Sequence, residues 1–269
     1  VTFADGRPAR PPIALAEVQG YCYAAYLARA ALAEALGEPG ADRWRARAAD
    51  VQARFDEAFW LPEEDYYALA LDADKRPVDA VSSNIGHCLW SGIVPPHRVG
   101  PVAARLVSPE LFTGFGVRTL GTGSAAYNPV SYHNGSVWPH DTALVAAGLA
   151  RTGHREEART VVAGLLDAAD AFGGRLPELF CGFARDDVPT PVPYPTSCSP
   201  QAWAAAVPFQ LLATALGLRP DRGRSAVHVD PVMEPIGSVR IEGLRYGSRR
   251  LTITADATTA NVTEGSDPS

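Results

Sequence analysis

The stretch SYHNGSVWPHDTALVAAGLARTGHREEARTVVAGLLDAADAFGG, residues 131–174, holds the pattern that organises the whole chain. It opens on a polar, aromatic-rich loop. Residues 138–153 are then almost all small and apolar, so the helix they predict has no polar face and belongs inside the protein. From 154 the charges gather on one side and Val and Leu on the other, which predicts a second helix that covers the first and faces solvent.

The same alternation runs along the rest of the sequence. Residues 13–38, 82–93 and 201–218 predict helices that are apolar on most faces, each entered through a polar loop. Residues 41–59, with Trp44, Ala48, Val51, Phe55 and Phe59 on one stripe, and residues 97–108 predict amphipathic helices entered through plain turns. Two concentric layers of α-hairpins satisfy this order, with the entries of the inner helices converging at one end. Pro11 and Pro12 stiffen the entry to the first helix, Ser82 or Ser83 is placed to cap the next, and Pro200 is placed for the first position of the last. Residues 65–80 alternate like a strand or short hairpin. From about 226 the alternation in AVHVDPVM and RLTITAD predicts a small β appendage, so we divide the chain into a helical part, 1–220, and an appendage with its tail, 221–269.

Composition narrows the class. A chain of 269 residues with 46% hydrophobic residues can bury a large core. A net charge of −6 without any Lys/Arg run lacks the footprint of a nucleic-acid binder and suits an uncharged substrate. No apolar run is long enough to span a membrane and no leader pattern opens the chain, which places it in the cytoplasm. Cys22, Cys88, Cys181 and Cys198 lack paired spacing and read as buried free thiols. His87, His133 and His140 lack metal-ligand spacing, and no phosphate loop or nucleophile elbow is present, so neither a metal nor a cofactor is expected.

Two segments carry chemistry. Residues 131–141 place Tyr132, His133, Asn134, Trp138, His140 and Asp141 around one helix start, combining flat rings for stacking on sugars with donors and acceptors for hydroxyls. A cap or a dipole complement would account for Asn134, Ser136 or Asp141 singly, but not for six such side chains together. In RLPELF, Glu178 sits among Leu176, Leu179 and Phe180, where apolar surroundings would raise its pKa. Two weaker groups are Glu17, Gln19 and Tyr21 in the first turns of an apolar helix, and Tyr194, Ser199, Gln201 and Trp203 at the entry of the last one.

In this order, IALAEVQGYCYAA, SSNIGHCLWSGI, YNPVSYHNGSVWPHDTALVA, RLPELFCGF and YPTSCSPQAWAAA resemble the C-terminal half of the glycogen-debranching, or amylo-α-1,6-glucosidase, family of six-hairpin glycosidases. The resemblance implies an all-α (α/α)6 toroid and inverting hydrolysis of an α-glucan. It also implies that Glu178 is the general base, and that the general acid lies in a motif upstream of residue 1. Tyr132, His133, Asn134, Trp138, Asp141, Glu17, Gln19, Tyr21, Gln201 and Trp203 would then line the sugar site. Opening on VTFADG and closing on TTANVTEGSDPS, the chain reads as a fragment of such an enzyme. Other readings are a sugar epimerase or isomerase with His133 or His140 as acid/base, and a carbohydrate-binding toroid without activity.

Overall fold

The computed structural model describes residues 1–220, 226–231, 236–256 and 259–264. Among them run the helices α1 (Ala16–Leu36), α2 (Ala41–Phe59), α3 (Asn84–Ser91), α4 (Pro96–Leu106), α5 (Pro139–Arg151), α6 (Arg155–Ala171) and α7 (Ala202–Ala215). α1 packs on α3, α3 on α5 and α5 on α7, so the odd-numbered helices form one inner row. α2 covers α1, α4 lies against α3, and α6 covers α5 and touches α7. The alternation in the sequence is therefore an alternation of layers.

Residue size explains how the row closes up. α5 buries Asp141, Thr142, Ala143, Val145, Ala146, Gly148 and Leu149, which lie on most of its faces, whereas α6 buries the stripe Ala158, Val161, Val162, Leu165 and Ala168. A Cβ on Gly148 would stand 2.8 Å from the Trp90 nitrogen and 2.9 Å from the Gly86 carbonyl oxygen. Only glycine lets α5 approach the α3 backbone so closely. On the outer layer, Ala48, Phe55 and Phe59 of α2 are buried and Trp44 stacks on Tyr26 of α1 with centroids 5.6 Å apart.

Burial around α1 and α7 is less complete than the sequence predicts. Val18, Tyr21, Ala25, Ala28, Leu32 and Leu36 form an exposed apolar stripe along α1, and on α7 Phe209 is 75% exposed beside Ala205 and Ala206. These helices end the inner row, and no further inner helix flanks them among the described residues. The caps differ as well. Ser83 stands at the start of α3 without a side-chain capping bond, Trp138 rather than Asn134 or Ser136 precedes α5, and Gln201 precedes α7, so Pro200 lies outside that helix.

Short strands brace the helices. β1 (Ala14–Leu15) pairs with β4 (Ala70–Leu71), which pairs with β5 (Pro77–Val78), while β2 (Trp60–Leu61) pairs with β3 (Tyr66–Tyr67). The hairpin predicted at 65–80 thus also holds the entry of α1. At the C-terminal end β6 (Arg219–Pro220) pairs with β7 (Val227–His228), and β8 (Val239–Tyr246), β9 (Arg249–Ala255) and β10 (Ala260–Glu264) form an antiparallel meander. Leu251, Ile253 and Ala255 alternate inward, and Ala255 clusters with Leu216 beyond the end of α7. This is the predicted β appendage; residues 221–225, 232–235, 257–258 and 265–269 of that reading lie outside the described residues.

Candidate active site

The loops that enter the inner helices are tied together by their main chains. Val137 pairs with Arg118 on one side and Phe180 on the other, and Phe180 pairs in turn with Pro193. The Val137 and Phe180 amides donate to each other's carbonyls at 2.9 and 3.0 Å, and the Cys181 amide donates to Val192 at 2.9 Å. Gly182 is pressed against the turn at Gly135, so a Cβ there would lie 1.7 Å from the Gly135 carbonyl oxygen. Arg118, buried in the same place, donates from Nε to the Gly182 carbonyl and from Nη1 to that of Pro109.

This ladder brings Glu178 to Tyr132. Glu178 is only 6% exposed. The Tyr132 hydroxyl donates to its Oε1 at 2.9 Å, the Gln201 amide reaches the same oxygen at 3.4 Å, and the Cys198 backbone amide donates to Oε2 at 3.3 Å. Burial alone would push the carboxyl up, but these bonds, Tyr132 foremost, outweigh it and hold Glu178 below the usual glutamate range. The raised pKa expected from its apolar neighbours is therefore corrected. Cys198 is exposed rather than buried, as is part of the loop that carries it.

Above Glu178 the rings interlock. Tyr132 meets Trp138 and Tyr194 edge-on, with centroids 4.9 and 5.7 Å apart. Trp138 is largely buried, its indole N–H donating to the Tyr132 carbonyl and to Ser136 Oγ. His133 lies parallel to Trp138 at 5.8 Å, and His140 stacks on Trp203 at 3.9 Å. The better exposed ring faces are thus His133 and Trp203, with Trp138 as their support. Burial holds His140 below the usual histidine range.

A second polar group faces the same space. His87 of α3 contacts Asp141 of α5 through Nε2 at 2.5 Å and the hydroxyl of Tyr21 of α1 through Nδ1 at 2.5 Å. Burial opposes charge on both partners of the first contact. Their mutual bond and attraction prevail, raising His87 and lowering Asp141, with a bond from Ser83 adding to the second shift. Burial pushes Tyr21 up to about 12, with the nearby Glu17 charge adding to it, and burial also raises Glu17. Glu17, Tyr21, His87 and Asp141 line a cavity of about 850 Å3 together with Tyr132, His133, Asn134, Trp138 and Trp203. A space of this size takes a small organic ligand.

A profile described as the mannosylglycerate hydrolase MGH1-like glycoside hydrolase domain matches residues 6–178. The chain belongs to this glycoside hydrolase family. No curated protein matches it in sequence. Among solved structures, a GH63 mannosylglycerate hydrolase from Thermus thermophilus in complex with glucose superposes with a TM-score of 0.61 at 20% identity, over 74% of this chain and 45% of the other. Neutral trehalase from Saccharomyces cerevisiae gives 0.61 at 15%, over 80% of this chain and 40% of its own. These likenesses show the fold, the helical toroid of six-hairpin glycosidases. The chain spans less than half the length of either. The resemblance to debranching enzymes holds at the level of a six-hairpin glycoside hydrolase, while its substrate name does not carry over.

Within this family fold, most predicted residues converge. Gln201 meets Glu178 without lining the cavity, and Glu17 and Tyr21, four residues apart, share one face of α1. Gln19 does not join them: two positions on from Glu17, it turns to the far side of α1, where its side-chain amide donates to the Leu15 carbonyl beside Val51 and Phe55. Sequence reasoning passed over His87 as a site residue. The signal was Asn84 and His87, polar side chains three apart in an otherwise apolar inner helix, both of which face the cavity.

Proposed function

We propose that the complete protein hydrolyses an α-glycosidic bond with inversion, Glu178 acting as general base. The observation that carries this reading is the Glu178 carboxylate itself, buried yet kept ionised by Tyr132, Cys198 and Gln201, directly behind the Tyr132 ring that lines the aromatic cavity. A general base must hold no proton before it acts, and these donors meet that need.

In the reaction, Glu178 accepts a proton from water while the water oxygen bonds to the anomeric carbon. The bond from that carbon to the leaving oxygen breaks, and a second carboxyl protonates the leaving group. By the family resemblance that acid lies upstream of residue 1. Inversion requires the two carboxyl groups roughly 6.5–9.5 Å apart. Trp203 and His133 offer stacking faces to the sugar, and Asn134 and Tyr21 offer hydrogen bonds.

For the substrate, the family description supports a short α-glycoside of the mannosylglycerate kind ahead of the α-1,6 branch of glycogen suggested by the sequence. It supports hydrolysis ahead of isomerisation or simple binding. The test assays the complete protein against mannosylglycerate, trehalose, isomaltose and glycogen limit dextrin, following the first anomer by proton NMR. We expect a β-configured sugar from a short substrate, and loss of turnover by about a thousandfold or more in Glu178→Gln with binding retained. Retained turnover in that variant, or an α-configured first product, sinks the assignment.

A further inference from the structure

At the opposite end of α5 and α7 from Asp141 and Gln201, the chain encloses a second cavity of about 610 Å3. Its described walls all lie within residues 90–230, where the last turns of α3, α5 and α7 meet the start of the β appendage. Asp141 and Arg151 stand ten residues apart on α5, about 15 Å along the helix, one at each cavity. The appendage wall is fixed in place. The Asp230 amide donates to the Leu216 carbonyl at 3.0 Å, and Arg155 of α6 donates to Asp230 Oδ2 at 3.0 Å and to the Pro231 carbonyl at 2.5 Å.

Charge marks this cavity out. Arg151, Arg155 and Arg219 line it against Asp230 alone, a cationic space in a chain whose net charge is −6. Asp230 matches Arg155, whereas Arg151 and Arg219 have no acidic partner among the described residues. Three helix C-termini meet here, and their partial negative charge also draws cations. That accounts in part for Arg151, whose Nη1 donates to the Trp90 carbonyl at 3.0 Å and whose Nη2 lies over Gly92, the C-cap of α3. It does not account for Arg219, which donates to no carbonyl among the described residues.

The remaining lining suits an anion with an organic body. Trp90, 38% exposed, stands in the wall with Ala147, Ala150 and Leu218, and Gln210 and Thr214 add uncharged polar groups. Two guanidinium groups without acids match a dianion better than a single carboxylate. A phosphate monoester carries a charge of about −1.5 to −2 near neutral pH.

We propose that this cavity binds a small phosphate monoester, its head held by Arg151 and Arg219 and its organic body resting on Trp90. The ligand would touch α3, α5, α7 and β6 together, and so would fasten the appendage to the inner helices. The proposal does not depend on the hydrolase reading, because none of these residues takes part in it.

The test titrates phenyl phosphate, inorganic phosphate and benzoate calorimetrically into the complete protein at low ionic strength, where exposed charges are least screened. Phenyl phosphate should bind most tightly. Benzoate, with a single charge, should bind about tenfold more weakly or worse, and inorganic phosphate, without a ring, several-fold more weakly. Arg219→Gln and Arg151→Gln should each weaken phenyl phosphate about tenfold, and Trp90→Leu should bring it to the level of inorganic phosphate. Arg54→Gln, which alters a cation of α2 remote from this cavity in the fold, should change nothing.

Thermal melting gives a second readout, since a ligand bound only by the folded state raises the melting temperature. Phenyl phosphate should raise it in the parent and much less in Arg219→Gln. Binding unchanged in Arg219→Gln, weakened equally by Arg54→Gln, matched by benzoate or inorganic phosphate, or absent altogether overturns the proposal. Arg151 also holds the end of α3, so if Arg151→Gln does not fold, Arg219→Gln, which breaks no bond described here, decides alone.

Discussion

The hydroxyl of Tyr132 donates a hydrogen bond of 2.9 Å to Glu178 Oε1 across 46 residues of sequence. Its removal should be felt in the protonation of Glu178 before it is felt in the fold. With the donor in place, Glu178 lies below its ordinary value of 4.5, so the acid limb of kcat/KM should fall below that pH. In Tyr132→Phe the limb should move upward and kcat should drop about tenfold, the worth of one hydrogen bond to a charged group. A pH–rate profile of the two proteins checks this, and an unmoved limb would detach Tyr132 from the chemistry.

The His87–Asp141 contact predicts a plateau in stability with two shoulders. The histidine pKa is raised on folding, so its contribution is complete below the unfolded value of 6.5 and is lost as pH rises through the folded value. The aspartate pKa is lowered, so its contribution is complete above the unfolded value of 3.8 and is lost as pH falls through the folded value. His87→Ala, which leaves a buried carboxylate alone, should cost roughly 3–5 kcal/mol near neutral pH and remove the alkaline shoulder. Urea melts of the complete protein at stepped pH read both effects.

Gly182 allows no side chain. A methyl group there collides with the Gly135 main chain, which no rotamer change relieves. Gly182→Ala should destabilise by about 1–3 kcal/mol and depress turnover more than the loss of stability explains, because it spreads the two segments that carry Tyr132 and Glu178. Thermal melting and kcat together test this, and a variant stable and active like the parent contradicts the packing described.

The apolar stripes of α1 and α7 predict self-association when residues 1–269 are produced alone. Phe209 and Leu32 are 75% and 52% exposed, and an exposed apolar face of this extent recruits partners. Phe209→Glu with Leu32→Glu should shift light-scattering mass toward that of a single chain. A monomeric, cooperatively melting parent chain would remove the basis for this expectation.

The layering was legible because it depends only on which faces of a helix are apolar, and 131–174 states that contrast within one hairpin. Glu178 and the 131–141 cluster were legible as chemistry out of place in apolar or helical surroundings. The direction of the Glu178 shift was not, since its donors Tyr132 and Cys198 lie 46 and 20 residues away and only folding brings them together. Gln19 was misplaced because sharing a turn with Glu17 and Tyr21 does not mean sharing a face. His87 was passed over because its partner Asp141 belongs to another helix. The exposure of α1 and α7 was missed because an apolar composition says what a helix can bury, not what is present to bury it.

The ladder through Arg118, Val137, Phe180 and Pro193 is made of main-chain amides and carbonyls, which every residue but proline supplies alike. The side chains of His133, Asn134 and Tyr194 can therefore be exchanged without moving the strap on which Glu178 hangs. The scaffold thus separates inheritance of the reaction from inheritance of the substrate: the attacking machinery is kept in register mainly by main-chain groups and a few fixed positions such as Gly182 and Tyr132, while the other surfaces that read the sugar remain free to drift.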